Sequence, residues 1–304
     1  MPKLRSAYYC NLKLLLIFLV VLGHWIEPEI GTSPVLNRVY RTIYLFHMPL
    51  FAFLSGLFLK DRGGCIRQLR RMAPVYLLCQ SAAVGLDLTA WHTPWWTLWY
   101  LLSLCFWLLA AWLLLGLPRG KWAVLALTIA LGCLSGRTEW VGRPLSLSRT
   151  IVFFPYFWLG VLVPADVPWH RFRLPALLAL PVLAVNISAV TLYHAGPCEP
   201  LTRLRCYAVA GALGLLVLSW CPRRRFPWTR AGADTMAAYL LHGPLIRLLP
   251  PVPYPALATA ALLCIIHKAT QWHRPYGIIG KEECPCEASK NYTKPRARRS
   301  TASS

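Results

Sequence analysis

The side chains in this chain best suited to chemistry are two histidines, a lysine and four arginines set in or beside apolar runs. His24 ends an apolar run that begins near residue 12, and His47 stands in Leu45-Phe46-His47-Met48-Pro49-Leu50-Phe51. A neutral imidazole takes up a proton near physiological pH, so either histidine could serve as general base towards a hydroxyl. The plainer role for each is a buried ring bonded to a backbone carbonyl. Lys13 precedes His24 by eleven positions, which on a helix is about 16 Å, roughly half the hydrocarbon thickness of a bilayer. Lys13 then marks one membrane edge, with His24 beyond the midplane, although a lysine there could also be a snorkelling anchor.

Arg67, Arg70 and Arg71 follow Asp61-Arg62-Gly63-Gly64-Cys65-Ile66. If a helix starts in this segment, their i, i+3, i+4 spacing places the three on one face. Guanidinium groups suit bidentate binding of phosphates, and coenzyme A offers both a 3′-phosphate and a pyrophosphate; a basic loop that only fixes topology is the alternative. Arg149 opens the apolar run 149–160. There it could stabilise a developing negative charge, bind an acceptor's phosphate, or anchor the interface.

These residues need apolar elements to hold them. The 304 residues are 57% hydrophobic and only 14% charged, with mean hydropathy +0.47, against about 25% charged in an ordinary soluble domain. The apolar residues come as long runs without period-two alternation, which points to helices rather than a transmembrane barrel. The fold class expected is all-α integral membrane. About ten spans are read, near 12–27, 43–60, 72–88, 97–116, 121–135, 150–164, 174–193, 206–221, 232–249 and 252–267. Most of the 32 Lys and Arg fall in alternate loops and in the C-terminal tail, so the positive-inside rule puts the N- and C-termini in the cytoplasm. The expected location is the cell inner (plasma) membrane, multi-pass. The first span lacks a small-residue cleavage site and does not read as a signal peptide.

Two regions are distinguished: a membrane domain over 1–270 and a basic, disordered cytoplasmic tail over 271–304. The tail's cations could touch anionic lipid. Its sequon Asn291-Tyr292-Thr293 would face the wrong compartment for glycosylation. Net charge is +21, but it is spread over short loops and the tail, so no nucleic-acid partner is expected. The eleven cysteines lack zinc-finger spacing and no metal site is expected. Cys79, Cys105 and Cys264 read as small core residues. A Cys198–Cys206 disulfide is left open, as is any role for the Cys284/Cys286 pair.

On these residues the chain resembles the acyltransferase-3 family of membrane acyltransferases, in its fucose 4-O-acetylase-like branch. Lys13-x10-His24 matches the family's basic-x10-histidine motif, with Lys where many members carry Arg. Arg67-x2-Arg70 matches its RxxR motif, linked to the acyl-CoA donor. Phe46 to Phe51 with Ser55-Gly56, Trp99-Tyr100-Leu101, Arg149 to Gly160, and Ala238-Tyr239-Leu240-Leu241-His242 resemble its later helical signatures in order.

The resemblance implies an O-acyltransferase, and in this branch an O-acetyltransferase, that moves an acyl group from cytoplasmic acyl-CoA to a hydroxyl of a cell-surface or lipid-linked carbohydrate. No permanently bound cofactor is implied; acetyl-CoA is the donor substrate. Lys13, Arg67, Arg70 and Arg71 would hold the donor, and His24, with His47 and Arg149, would serve the chemistry. Two other classes fit the same residues. In a transporter of a glycan or small solute, the intramembrane histidines and arginine would line a pathway. A third class is a structural membrane partner that recruits other surface-polymer enzymes. The acceptor sugar and oligomeric state are not legible. Trp91, Trp95 and Trp96 read as an interfacial belt that could alternatively stack on sugar rings.

Overall fold

The computed structural model describes residues 2–85, 87, 90–117, 119–137, 144–181, 198–233, 235–249 and 253–273. Among these residues the chain is all helical. The α-helices are α1 (Pro2–Ile26), α2 (Pro34–Leu57), α3 (Arg62–Val84), α4 (Trp99–Leu114), α5 (Lys121–Leu134), α6 (Leu147–Leu162), α7 (Arg173–Leu178), α8 (Pro200–Trp220), α9 (Thr235–Leu248) and α10 (Pro255–His273). They follow the order of the ten expected spans. Most of the seventh span, and the tail from 274 with its sequon and Cys284/Cys286, fall outside the described residues. Among the described residues, three stretches are long and apolar enough to cross a membrane, at 7–29, 144–162 and 200–220, and the apolar α4 is shorter.

The first three helices start well before the expected spans, each for a local reason. In α1 the first turns are fixed by polar side chains that reach across the bundle. Tyr8 Oη donates to Leu218 O at 2.6 Å, Tyr9 Oη to Ala165 O at 2.8 Å, and Asn11 Nδ2 to Pro222 O and Arg224 O at 2.9 Å each. Ser33 caps α2 by accepting from Leu36 N, with Pro34 at the first position, where its fixed φ favours entry. Asp61 caps α3 by accepting from Gly64 N at 2.6 Å. That cap brings the Arg67–Arg71 segment into a helix, so Arg67, Arg70 and Arg71 do share a helical stretch.

α1 runs through the middle of the bundle, packed against α2, α9, α10 and the turn at 229–233. α2 lies between α1 and α6 and also meets α8, while α3 pairs with α4. The α2–α6 crossing brings backbone onto backbone. A Cβ at Gly56 would stand 2.0 Å from Phe157 O, and one at Gly160 2.1 Å from Phe53 O. Just past α2, Lys60 Nζ donates to Gly160 O, Val161 O and Val163 O at 3.1, 2.9 and 2.7 Å. It covers the open carbonyls at the end of α6, where a cation also suits the helix dipole. Lys60 therefore has a structural task.

Candidate functional site

Three histidines, one each on α1, α2 and α9, carry the same local device. His24 Nδ1 lies 2.8 Å from Val20 O, His47 Nδ1 2.6 Å from Ile43 O, and His242 Nδ1 3.0 Å from Ala238 O. A carbonyl oxygen only accepts, so each neutral ring carries its proton on Nδ1 and presents a bare Nε2 lone pair. The backbone contact expected of a plain buried histidine is thus present, and it also selects the tautomer a general base requires. His47 and His242 are buried, and His24 is partly exposed.

His24 sits at the centre of this group. Its ring is 5.0 Å from that of His242, 4.9 Å from the Trp96 ring in an edge arrangement, and 6.3 Å from Tyr44. Tyr44 in turn lies 4.8 Å from His47. His47 and Arg149 are both within electrostatic reach of His24. The Arg149 guanidinium rests over the Trp99 ring at 5.0 Å, and Arg247 rests over Trp95 and Trp96 at 4.9 and 4.7 Å. Three of the sequence-derived residues, His24, His47 and Arg149, therefore share one neighbourhood.

Trp96 is held there by a buried amide. Gln80 Nε2 donates to Thr93 O at 3.1 Å, and its Oε1 accepts from Trp95 N at 2.9 Å. Gln80 has no exposed surface. Tyr239 Oη donates to Thr97 O just after Trp96. Trp96 itself adopts φ of +23°, a left-handed conformation uncommon for a bulky side chain. The clamp and the tight turn press this tryptophan against the imidazole, which the belt reading did not anticipate.

The basic residues gather around a cavity of about 470 Å³, within the range of small-molecule sites. Lys13, Gly64, Arg67, Gln68 and Arg71 line one end. The lining is apolar at Ile17, Phe51 and Leu104, Tyr100 also lines it, and Val20 and Tyr239, one helical turn before His24 and His242, carry it towards the histidines. Along α1 the lining runs from Lys13 to Val20, so it stops one helical turn short of His24. Tyr100 Oη shares a hydrogen bond of 2.8 Å with Ser55 Oγ in the wall. Tyr239 connects the cavity to the histidines, with its ring 6.1 Å from His242.

The arginine trio divides. Arg67 and Arg71 line the cavity, whereas Arg70 is exposed on α3 and does not. Arg67 also stands 3.9 Å from Asp61. Both groups are more than half exposed there, so this pair contributes little stability. A Cβ at Gly63 would come within 3.0 Å of the Asp61 carboxylate and 3.1 Å of the Arg67 guanidinium, so these two side chains would have to shift slightly.

Sequence reasoning gave no role to His242, Tyr239, Tyr100 or Gln80. Tyr100, Tyr239 and His242 stood inside matched motifs, which was the available signal; an isolated Gln80 in an apolar run carried none. Away from the site, Cys198 and Cys206 are free thiols, so no bridge joins them. Their neighbour Arg203 is wholly buried and donates from Nη1 to Gly132 O at 2.9 Å and Ser135 Oγ at 2.6 Å, closing the end of α5.

Residues 7–266 match the Acyl_transf_3 family model, described as an acyltransferase domain. No curated protein and no solved structure shows significant similarity to the chain.

Proposed function

The chain belongs to the acyltransferase-3 family, and from that membership and the shape of its cavity we propose that it moves an acetyl group from cytoplasmic acetyl-CoA to a hydroxyl of a cell-surface or lipid-linked carbohydrate. The observation that carries this reading is the gradient along one cavity: cations at one end, apolar walls between, and Tyr239 one helical turn from an imidazole at the other. A CoA thioester has the same order of parts. Its phosphates would meet Lys13, Arg67 and Arg71, with charge-assisted hydrogen bonds to the guanidiniums. Its pantetheine arm would lie along Ile17, Phe51 and Leu104, and the thioester would reach the Tyr100–Tyr239 end.

The basic end faces the cytoplasm in this account, as the loop charges require, and the chain crosses the inner membrane several times. The acceptor approaches from the opposite side, where Trp96 flanks His24. His24 Nε2 accepts the hydroxyl proton as the oxygen attacks the thioester carbonyl. The tetrahedral oxyanion needs a cation or donor. Arg149, within electrostatic reach of His24, supplies it. His47, further along the aromatic chain through Tyr44, holds the site's shape. The resemblance to the fucose 4-O-acetylase-like branch and the tryptophans beside His24, whose rings can stack on sugars, support a carbohydrate acceptor.

Mass spectrometry of surface glycans from cells with and without the protein tests the reading. The expected result is one acetyl mass missing from one sugar when the protein is absent. Unchanged glycans, together with a labelled solute crossing the membrane in a protein-dependent way, would replace the acyltransferase with a transporter.

A further inference from the structure

His242 has no role in the account so far, and its surroundings are unusual. It has no exposed surface, and its Nε2 has no hydrogen-bond partner. A buried polar atom without a partner costs stability, and native proteins seldom retain one without a use. Its Nδ1 is already committed to Ala238 O, so in the neutral ring the orphan is a bare lone pair. The same holds for His24, whose Nδ1 is committed to Val20 O. The two rings lie 5.0 Å apart, tilted by 53°. Rings this close can be joined by one nitrogen–nitrogen hydrogen bond of about 3 Å once a proton is present to make it; in the structure the two nitrogens are not bonded and His242 Nε2 stands unpartnered. While both rings are neutral no such bond can form, because each Nε2 only accepts. A single proton added to either ring makes it a donor to the other.

We propose that His24 and His242 together form a one-proton store, in which His242 is a positioning residue that shares the proton His24 takes from the acceptor and passes it towards the CoA sulfur. The inference rests on the acyltransferase reading above. Position supports the direction of transfer: His242 stands between His24 and Tyr239, and Tyr239 lines the cavity end where the thioester would lie. In the balanced step the acceptor oxygen forms a bond to the acyl carbon and the carbon–sulfur bond breaks. The hydroxyl proton goes to His24 Nε2, is shared with His242 Nε2, and ends on the departing thiolate, giving an ester and free CoA thiol. No oxidant or further reactant is needed. The other ionisable groups around the pair are Glu27 just past α1, Tyr40, Tyr44 and His47 of α2, Tyr100 of α4, Arg149 at the start of α6, and Tyr239 and Arg247 of α9.

The test compares full-length wild type with His242→Ala, His242→Gln and His24→Ala, each complemented into the native host. Its readouts are incorporation of labelled acetyl from acetyl-CoA into isolated membranes as pH is varied, and thermal unfolding of each purified protein. Losing the proton-sharing partner is expected to lower the rate about tenfold or more in His242→Ala. The acid limb of its pH–rate profile should move to lower pH by about one unit, since a coupled pair binds its first proton more tightly than either member alone. His242→Gln, which can accept a hydrogen bond but cannot carry the proton onward, should remain slow while unfolding at the wild-type temperature; it serves as the informative variant if His242→Ala fails to fold. A folded His242→Gln protein with wild-type rate and pH profile overturns the pair, and if His24→Ala is inactive in that experiment the acyltransferase reading survives. Wild-type membranes that take up no label overturn the parent reading and the pair with it.

Discussion

Replacing Gly160 with alanine tests whether the α2–α6 crossing sets the shape of the site. The added Cβ would stand 2.1 Å from Phe53 O and 2.9 Å from Leu57 N. A carbon–oxygen contact settles at about 3.3 Å or more, so the helices must part by about 1.2 Å. Both obstructing atoms are backbone, so no side chain can rotate away. Overpacking of this kind costs about 3 kcal/mol, and more if the Lys60 bonds to Gly160 O and Val161 O are disturbed. At roughly 2–4 °C per kcal/mol for a chain of this size or somewhat smaller, the unfolding midpoint should fall by about 6–12 °C. A thiol-reactive fluorogenic dye reads the transition in detergent, because Cys65, Cys105, Cys133, Cys206 and Cys221 are buried free thiols. At Gly211, in the middle of α8, an added Cβ would meet nothing within 4 Å, so Gly211→Ala should be neutral or stabilising by about 0.4–1 kcal/mol through the unfolded chain. Equal midpoints for the two variants would refute the backbone contact. Separation at Gly160 should also slow acetyl transfer, because Phe51 and Ser55 of α2 line the cavity.

Arg67→Ala and Arg71→Ala should each weaken CoA binding about tenfold, a partly screened charge-assisted bond lost in each case; Arg70→Ala, off the cavity, should leave the dissociation constant near wild type, as read by calorimetry on purified protein. Gln80→Leu should free the Thr93–Trp95 loop and leave Thr93 O and Trp95 N without their amide partner, lowering acetyl transfer while CoA affinity holds. Arg203→Met removes the two guanidinium bonds accepted by Gly132 O and Ser135 Oγ at the end of α5, which keep their bond to each other, so the midpoint should drop by an amount equivalent to about 2 kcal/mol, with CoA affinity unaffected.

Much of this arrangement was legible in the residue pattern, and the exceptions have identifiable causes. Apolar runs located the helices because bilayer-length segments of low charge leave few alternatives. Their starts were misjudged where polar side chains extend a helix into sequence that looks like loop. Tyr8, Tyr9 and Asn11 do so for α1, and the Asp61 cap does so for α3. His24, His47 and Arg149 converge, each of them an ionisable group in or beside an apolar run, where such groups are costly to keep without a use. Arg70 departs from its two companions because a cavity wall covers only part of a helical face, and periodicity does not say which part. His242 meets His24 through the packing of α9 on α1 and carries Tyr239 beside it, and Gln80 reaches Trp95 across a loop. Such pairings join residues far apart in the chain, and composition and spacing do not reveal them.

The central claim is that one cavity delivers an acyl group from its cationic end to a hydroxyl deprotonated by His24. The most direct measurement is label transfer from acetyl-CoA to the membrane glycan fraction by wild type and His24→Ala, alongside CoA binding by both purified proteins. The account predicts transfer by wild type, loss of about a hundredfold or more in the variant, and unchanged CoA affinity. Full transfer by His24→Ala, or wild-type protein that binds no CoA, would contradict it.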